Sequence, residues 1–361
     1  MDSVTQACLG ATLGGAVLGR QLGRRALVAG AVLATIPDLD SFLDFGDAVA
    51  DYTYHRSFSH SLLVLTGVAT LLAILLSRWR HTRAIGFKRW WWFCALILLT
   101  HPLLDAFTTY GTQLLWPISS PPVAWKTIFI IDPLYTLPML IALIAGLIRG
   151  QPRRISMIGL GLSSLYLAFT IGAKAEVMAR LTPELAARGL EDQAVMVQPA
   201  PLTSLLWRVT VIDDERQLEG MISLFDDADE LQLDSFSRST ELAPATLKFA
   251  AGRRLAWFAG PFRRFDIIDN RLVVTDMRMG LPGNYSFAFA IARRDTPDAA
   301  WQAIPARSSD GRHGSLNTLQ ALGRRIVDPT AFCPADLARQ AAIHAQLLAS
   351  ECRHGRATDE L

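Results

Sequence analysis

Lys88 to Gly111 reads KRWWWFCALILLTHPLLDAFTTYG. Its central run, residues 90–107, approaches the roughly 20 apolar residues that a helix needs to cross the hydrocarbon core, about 17 being the short limit. The same run carries His101 and Asp105, and ionisable groups are costly at membrane depth. Their i, i+4 spacing puts both on one face of a helix, so they require partners from other segments. Trp90, Trp91 and Trp92, beside Lys88 and Arg89, read as an interfacial anchor at the opposite end.

Comparable runs flank this one at residues 4–19, 24–37, 61–77, 129–148 and 155–173. The first two are short and rich in glycine (Gly10, Gly14, Gly15, Gly19, Gly30), which suits close helix packing. They read as a tight hairpin, or as a pair that enters without fully crossing. Basic residues orient the set, because Lys and Arg are retained on the cytoplasmic side. Arg20, Arg24 and Arg25 separate the first pair; Arg78, Arg80, Arg83, Lys88 and Arg89 the third and fourth; Arg149, Arg153 and Arg154 the fifth and sixth. The connections at 38–60 and 108–128 hold only Arg56 and Lys126 and should face outward. After Lys174 the charged residues rise and the long apolar runs end. The expected architecture is a multi-span α-helical membrane domain, residues 1–173, followed by a soluble α+β domain with an antiparallel sheet, residues 174–361. Six crossings would place that second domain in the periplasm.

A chain of 361 residues has room for two such units. A formal net charge of +2, with basic residues clustered at the ends of apolar runs, argues against nucleic-acid binding. Cys8, Cys94, Cys333 and Cys352 show no CxxC spacing, which argues against a thiolate zinc site. Outside the cytoplasm Cys333 and Cys352 could pair as a disulfide, with two free thiols as the alternative. The start Met1-Asp2-Ser3 lacks the basic region of a cleavable signal peptide, so the first apolar segment is expected to be retained.

Three motifs fall at the outward ends of the apolar runs: Pro37-Asp38-Leu39-Asp40, His55-Arg56-Ser57-Phe58-Ser59-His60-Ser61, and Thr100-His101-Pro102-Leu103-Leu104-Asp105. The topology puts all three at one membrane face. Carboxylates gathered in low dielectric repel unless compensated, and a divalent cation compensates them. Imidazole and carboxylate are the usual ligands of zinc, manganese or iron in hydrolytic sites, where the ion lowers the pKa of a water. Each motif alone has a plainer reading. PDLD can end a helix, Ser59 or Ser61 can cap the third one, and His101 with Asp105 can be a buried hydrogen-bonded pair.

HRSFSHS, PDLD and THPLLDAFTTYG, with the opening MDSVTQACLGATLGGAVLG and Leu115-Trp116-Pro117, resemble the YdjM-like family of inner-membrane proteins identified as metal-dependent hydrolases. The resemblance is clearest over residues 1 to about 120; the WRV and DMRMG stretches around Trp207 and Asp276 are similar to a longer branch of that family. It implies a metal shell of Asp38, Asp40, His55, His60, His101 and Asp105, four to six of them coordinating directly. Zinc is the expected ion, with manganese or iron as alternatives. Many members have His where this chain has Gln6, so a ligand from the first helix is not expected. Arg56 is placed to hold an anionic group such as a phosphate, or to pair with Asp51 or Asp105. Tyr110 reads as a substrate-orienting group or an interfacial anchor.

Beyond residue 174, residues 205–212 and 219–225 alternate like a hairpin around Asp213-Asp214-Glu215, and 264–279 and 284–292 offer further strands with turns at 269–270 and 282–284. Helices are expected near 240–256 and 334–351. His313, His344 and His354 are scattered and read as solvated surface residues. The leading expectation is a membrane-bound metal-dependent hydrolase of esters or phosphoesters, a lipid among them, with Asp40 as general base and membrane lipids as partners. A non-enzymatic membrane scaffold or sensor with a structural metal is the alternative. A transporter fits less well, since the charged groups gather at the helix ends and not at the midplane.

Overall fold

The computed structural model describes residues 1–361 apart from 119, 228–230, 310–315, 341–346 and 353–361. The chain divides into two compact units: Met1–Leu43 with Tyr54–Ile171, and Asp44–Thr53 with Gly172–Leu361.

The first unit is helical. Helix α1 (Ser3–Leu22) starts where the Asp2 carboxylate accepts the Val4 and Thr5 amides at 3.1 and 3.0 Å. Gly23, at φ 56°, turns the chain directly into α2 (Arg24–Thr35). The hairpin is tight because Gly10 and Gly30 meet without side chains; a Cβ on Gly30 would overlap the Gly10 carbonyl. After a 3-10 turn at Pro37–Phe42 comes α3 (Ala48–Tyr54), most of which belongs to the second unit. The chain returns through a short turn at Phe58–His60 into α4 (Leu62–Arg78), capped by the Ser61 hydroxyl. Then follow α5 (Phe87–Ala106), α6 (Pro133–Arg149) and α7 (Pro152–Ala187). Leu18, Leu33, Leu65, Ala69, Phe93 and Leu98 form a core shared by α1, α2, α4 and α5.

Among the described residues one helix, α7, is long and apolar enough to cross a membrane, and Ala48–His60 with Leu62–Arg78 pass the same test together across a 48° bend. Helix α6 is apolar over 17 residues. Glycine, threonine and Arg20 dilute α1, and Lys88, Arg89, His101 and Asp105 dilute α5. The helical region is therefore present as expected, and length and composition single out one clear span candidate among the described residues.

The second unit is built on two antiparallel sheets. Strands β1 (Ala194–Pro199), β2 (Leu206–Asp213), β3 (Arg216–Ser223) and β4 (Asp234–Ser237) form one sheet, closed at its edge by β9 (Leu347–Ala349); β5 (Arg263–Ile268), β6 (Arg271–Leu281), β7 (Asn284–Arg293) and β8 (Gln302–Ser309) form the other. The last turns of α7 pack Val177, Leu181 and Leu185 onto Trp207 and Val209, which explains how that helix reaches 36 residues. Asp269 and Asn270 both take positive φ in the two-residue turn joining β5 to β6. Arg208 of the WRV stretch pairs with buried Glu219 through two bonds of 2.8 and 2.6 Å and donates to the Met277 and Gly280 carbonyls in the DMRMG stretch. These two motifs thus clamp the sheets together.

Two helix expectations change in detail. The segment near 240–256 is broken at Phe249, whose extended backbone separates α8 (Ala243–Thr246) from α9 (Ala250–Ala259). Helix α10 (Leu316–Arg325) follows the second sheet. The predicted helix at 334–351 is α11 (Pro334–Gln340), whereas 347–349 lie as a strand because the free edge of β4 offers hydrogen-bonding partners. His313, His344 and His354 lie outside the described residues.

Candidate metal centre

The ends of α2 and α5 and the turns that precede α4 bring together the side chains that the three motifs carry. Asp38 lies in the 3-10 turn after α2, His60 in the turn before α4, and His101 and Asp105 one turn apart on α5. One donor atom from each of these four lies within 4.8 Å of the others. Asp38 Oδ1 is 3.4 Å from His60 Nε2 and 3.3 Å from His101 Nε2, and Asp105 Oδ2 is 3.2 and 3.7 Å from the same two nitrogens. His60, His101 and Asp105 are fully buried; Asp38 is 20% exposed and forms the open side.

The hydrogen bonds behind the rings fix which nitrogens face inward. His101 Nδ1 lies 2.7 Å from the Ala34 carbonyl, which only accepts, so Nδ1 carries the proton and Nε2 presents its lone pair. Ser59 Oγ donates to Asp40 Oδ2 at 2.6 Å, and so accepts from His60 Nδ1 at 2.9 Å. His60 Nε2 is then also a free lone pair. His60 Nε2, His101 Nε2 and Asp105 Oδ2 are buried and make no hydrogen bond. A buried polar atom left without a partner costs about 1–3 kcal/mol, a cost that falls on the two Nε2 atoms, since Asp105 Oδ2 faces Arg56 Nε at 3.2 Å. A divalent cation fits this donor set of two imidazoles and two carboxylates.

Asp40 and His55 form a second layer. Asp40 Oδ1 contacts His55 Nδ1 at 2.9 Å, and Oδ2 accepts from the Arg56 amide at 2.9 Å as well as from Ser59. Both oxygens are thus engaged outside the four-donor group. Burial acts to raise the Asp40 carboxyl, but hydrogen bonds from His55 and Ser59 hold it below the usual carboxylate range.

Arg56 adopts a left-handed backbone, φ 61°, and is buried with its Nε 3.2 Å from Asp105 Oδ2 and its guanidinium 5.1 Å from the centre of the Tyr110 ring. Of its two expected carboxylate partners it meets Asp105. Gln6 donates to Asp105 Oδ1 at 3.0 Å and to the His101 carbonyl at 3.1 Å, holding both residues from α1. The Met1 amino group also meets Asp105. Ser59 and the Ala34 carbonyl were not expected as functional groups. Position beside His60 was the only signal for Ser59, and a backbone carbonyl leaves none.

Residues 1–177 match the model of the family described as YdjM inner membrane protein, in agreement with the resemblance carried by the motifs. The inner membrane protein YbcI of Escherichia coli (strain K12) is 42% identical over 115 residues, 31% of this chain and 62% of that protein. The uncharacterized protein YfhP of Bacillus subtilis (strain 168) is 29% identical over 174 residues, 46% of this chain and 51% of its own length. The chain thus spans less than two thirds of either relative. No solved structure matches it.

Proposed function

We propose that this chain is a multi-pass protein of the inner membrane and a metal-dependent hydrolase of anionic esters, phosphoesters foremost, at the outer membrane face. The observation that carries the reading is the convergence of three buried, unbonded donor atoms with Asp38. Asp38, His60, His101 and Asp105 would hold the ion, zinc first and manganese or iron next. Such an ion supplies Lewis-acid chemistry, polarising a substrate oxygen and making water more acidic.

The chain's own groups divide the remaining work. The two carboxylates of the inner layer balance a divalent charge, and Arg56 is the guanidinium beside them that would hold an anionic group. His55, with its ring 24% exposed, is the proton acceptor, and Asp40 serves the general-base role through it by fixing the imidazole tautomer. Tyr110 carries Arg56 on its ring face.

Membrane residence draws support from the family match and from the aliphatic side chains that the first unit turns outward, among them Leu71, Ile141, Ile158 and Leu165, 57–70% exposed. Membrane lipids would cover them, so a lipid ester is the nearest substrate class. A periplasmic location for the second unit is supported by the Cys333–Cys352 disulfide, which belongs to an oxidising compartment.

The competing reading, a scaffold or sensor with a structural metal, draws on the complete burial of three of the four donors. Hydrolysis of phospholipid vesicles and p-nitrophenyl phosphate by purified protein, with and without chelator, separates the two. The hydrolase reading expects chelator-sensitive turnover, with KM raised about tenfold or more in Arg56→Gln as one charge-assisted contact is lost. Metal-loaded, folded protein without turnover would favour the scaffold.

A further inference from the structure

The second unit holds a group of side chains that the proposed hydrolysis leaves unused. Asp234 opens β4 and is 1% exposed, Cys333 precedes α11 and is 3% exposed, and Cys352 follows β9 with part of its surface open. The two cysteines form a disulfide with Cα atoms 6.1 Å apart. Asp234 Oδ2 lies 3.2 Å from Cys333 Sγ, and both carboxylate oxygens lie 3.4 Å from Cys352 Sγ. The Ala335 amide donates to Asp234 Oδ2 at 2.7 Å and holds the carboxyl against the sulfurs.

We propose that Cys333–Cys352 is a reducible site for a dithiol reductant, which attacks Cys352 Sγ while Asp234 protonates the departing Cys333 sulfur. Exposure selects the point of attack, because Cys352 is the reachable sulfur and Cys333 the enclosed one. The reductant's thiolate forms a bond to Cys352 Sγ as the Cys333–Cys352 bond breaks, and the electron pair leaves on Cys333 Sγ. That sulfur takes the proton of the Asp234 carboxyl. The second thiol of the reductant returns a proton to Asp234 and attacks its own first sulfur, releasing Cys352 as a thiolate that takes a proton from water. The dithiol ends as a cyclic disulfide and the protein as two thiols.

Burial holds the Asp234 carboxyl above the usual carboxylate range, against the hydrogen bonds it accepts from Ser350 and the Ala335 and Glu351 amides. The bond that opens ties the edge strand to α11. Without it β9 keeps its pairing with β4 at Ser235–Ala349 and Phe236–Leu347 and the Arg188–Glu351 ion pair at 2.8 Å.

Two measurements on the full-length protein in detergent test this. In the first, brief reaction with limiting glutathione, an acid quench and peptide mapping should find the mixed disulfide on Cys352. In the second, Asp234→Asn should slow reduction by dithiothreitol about 10²-fold, as expected when a general acid is removed. A disrupted fold would expose the bond and speed its reduction, so slowing is not a folding artefact. An adduct on Cys333, an unchanged or faster rate in Asp234→Asn, or two free thiols in protein taken from an oxidising compartment would overturn the proposal.

Discussion

His60 and His101 each face the site with the nitrogen that their other hydrogen bond leaves bare, and Asp40 controls one of them from a distance through Ser59. Outer groups of this kind typically alter metal affinity by about 10–100-fold. Asp40→Asn is therefore expected to weaken cation binding by about that factor in a competition titration, with the helical content unchanged. An affinity equal to the parent would show that Ser59 and His60 hold their geometry without it. The residue types of the site were legible in PDLD, HRSFSHS and THPLLD, because ionisable groups beside apolar runs need a reason to be there. Their division into layers was not legible. Asp38 and Asp40 are equivalent in a motif, and only the backbone turn sends one carboxylate to His101 and the other to His55.

At the scale of elements, the glycine-rich opening segments foretold the close hairpin of α1 and α2. Gly30→Ala places a methyl group against the Gly10 carbonyl and should destabilise the first unit by about 1–3 kcal/mol, read as a lowered thermal midpoint in detergent. An unshifted midpoint would mean that the two helices stand further apart. The β5–β6 and β6–β7 turns were legible because Asp-Asn and Pro-Gly have few backbone options. Strand β9 was not, since Leu-Leu-Ala carries no local preference and is drawn to the sheet by the edge of β4.

For the whole molecule, the least local feature is residues 44–53, which leave the helical unit after Asp40 and rejoin it before His55. Within the second unit Tyr52 packs on Phe258, Phe287 and Phe289, and its hydroxyl donates to Asp276 at 3.0 Å. No periodicity in the sequence marks this excursion, because its partners lie more than 200 residues away. Tyr52→Ala is expected to cost the second unit about 3–5 kcal/mol and to open a protease site within 44–53. Protection equal to the parent would show the segment to be held by other contacts.

The central claim, that Asp38, His60, His101 and Asp105 share a divalent cation, is tested most directly by metal analysis of full-length protein purified without chelator, beside His101→Ala. About one equivalent of zinc, manganese or iron per chain in the parent, falling to background in a folded variant, is the expected result. A parent without stoichiometric divalent metal, or a variant that retains as much as the parent, would contradict it.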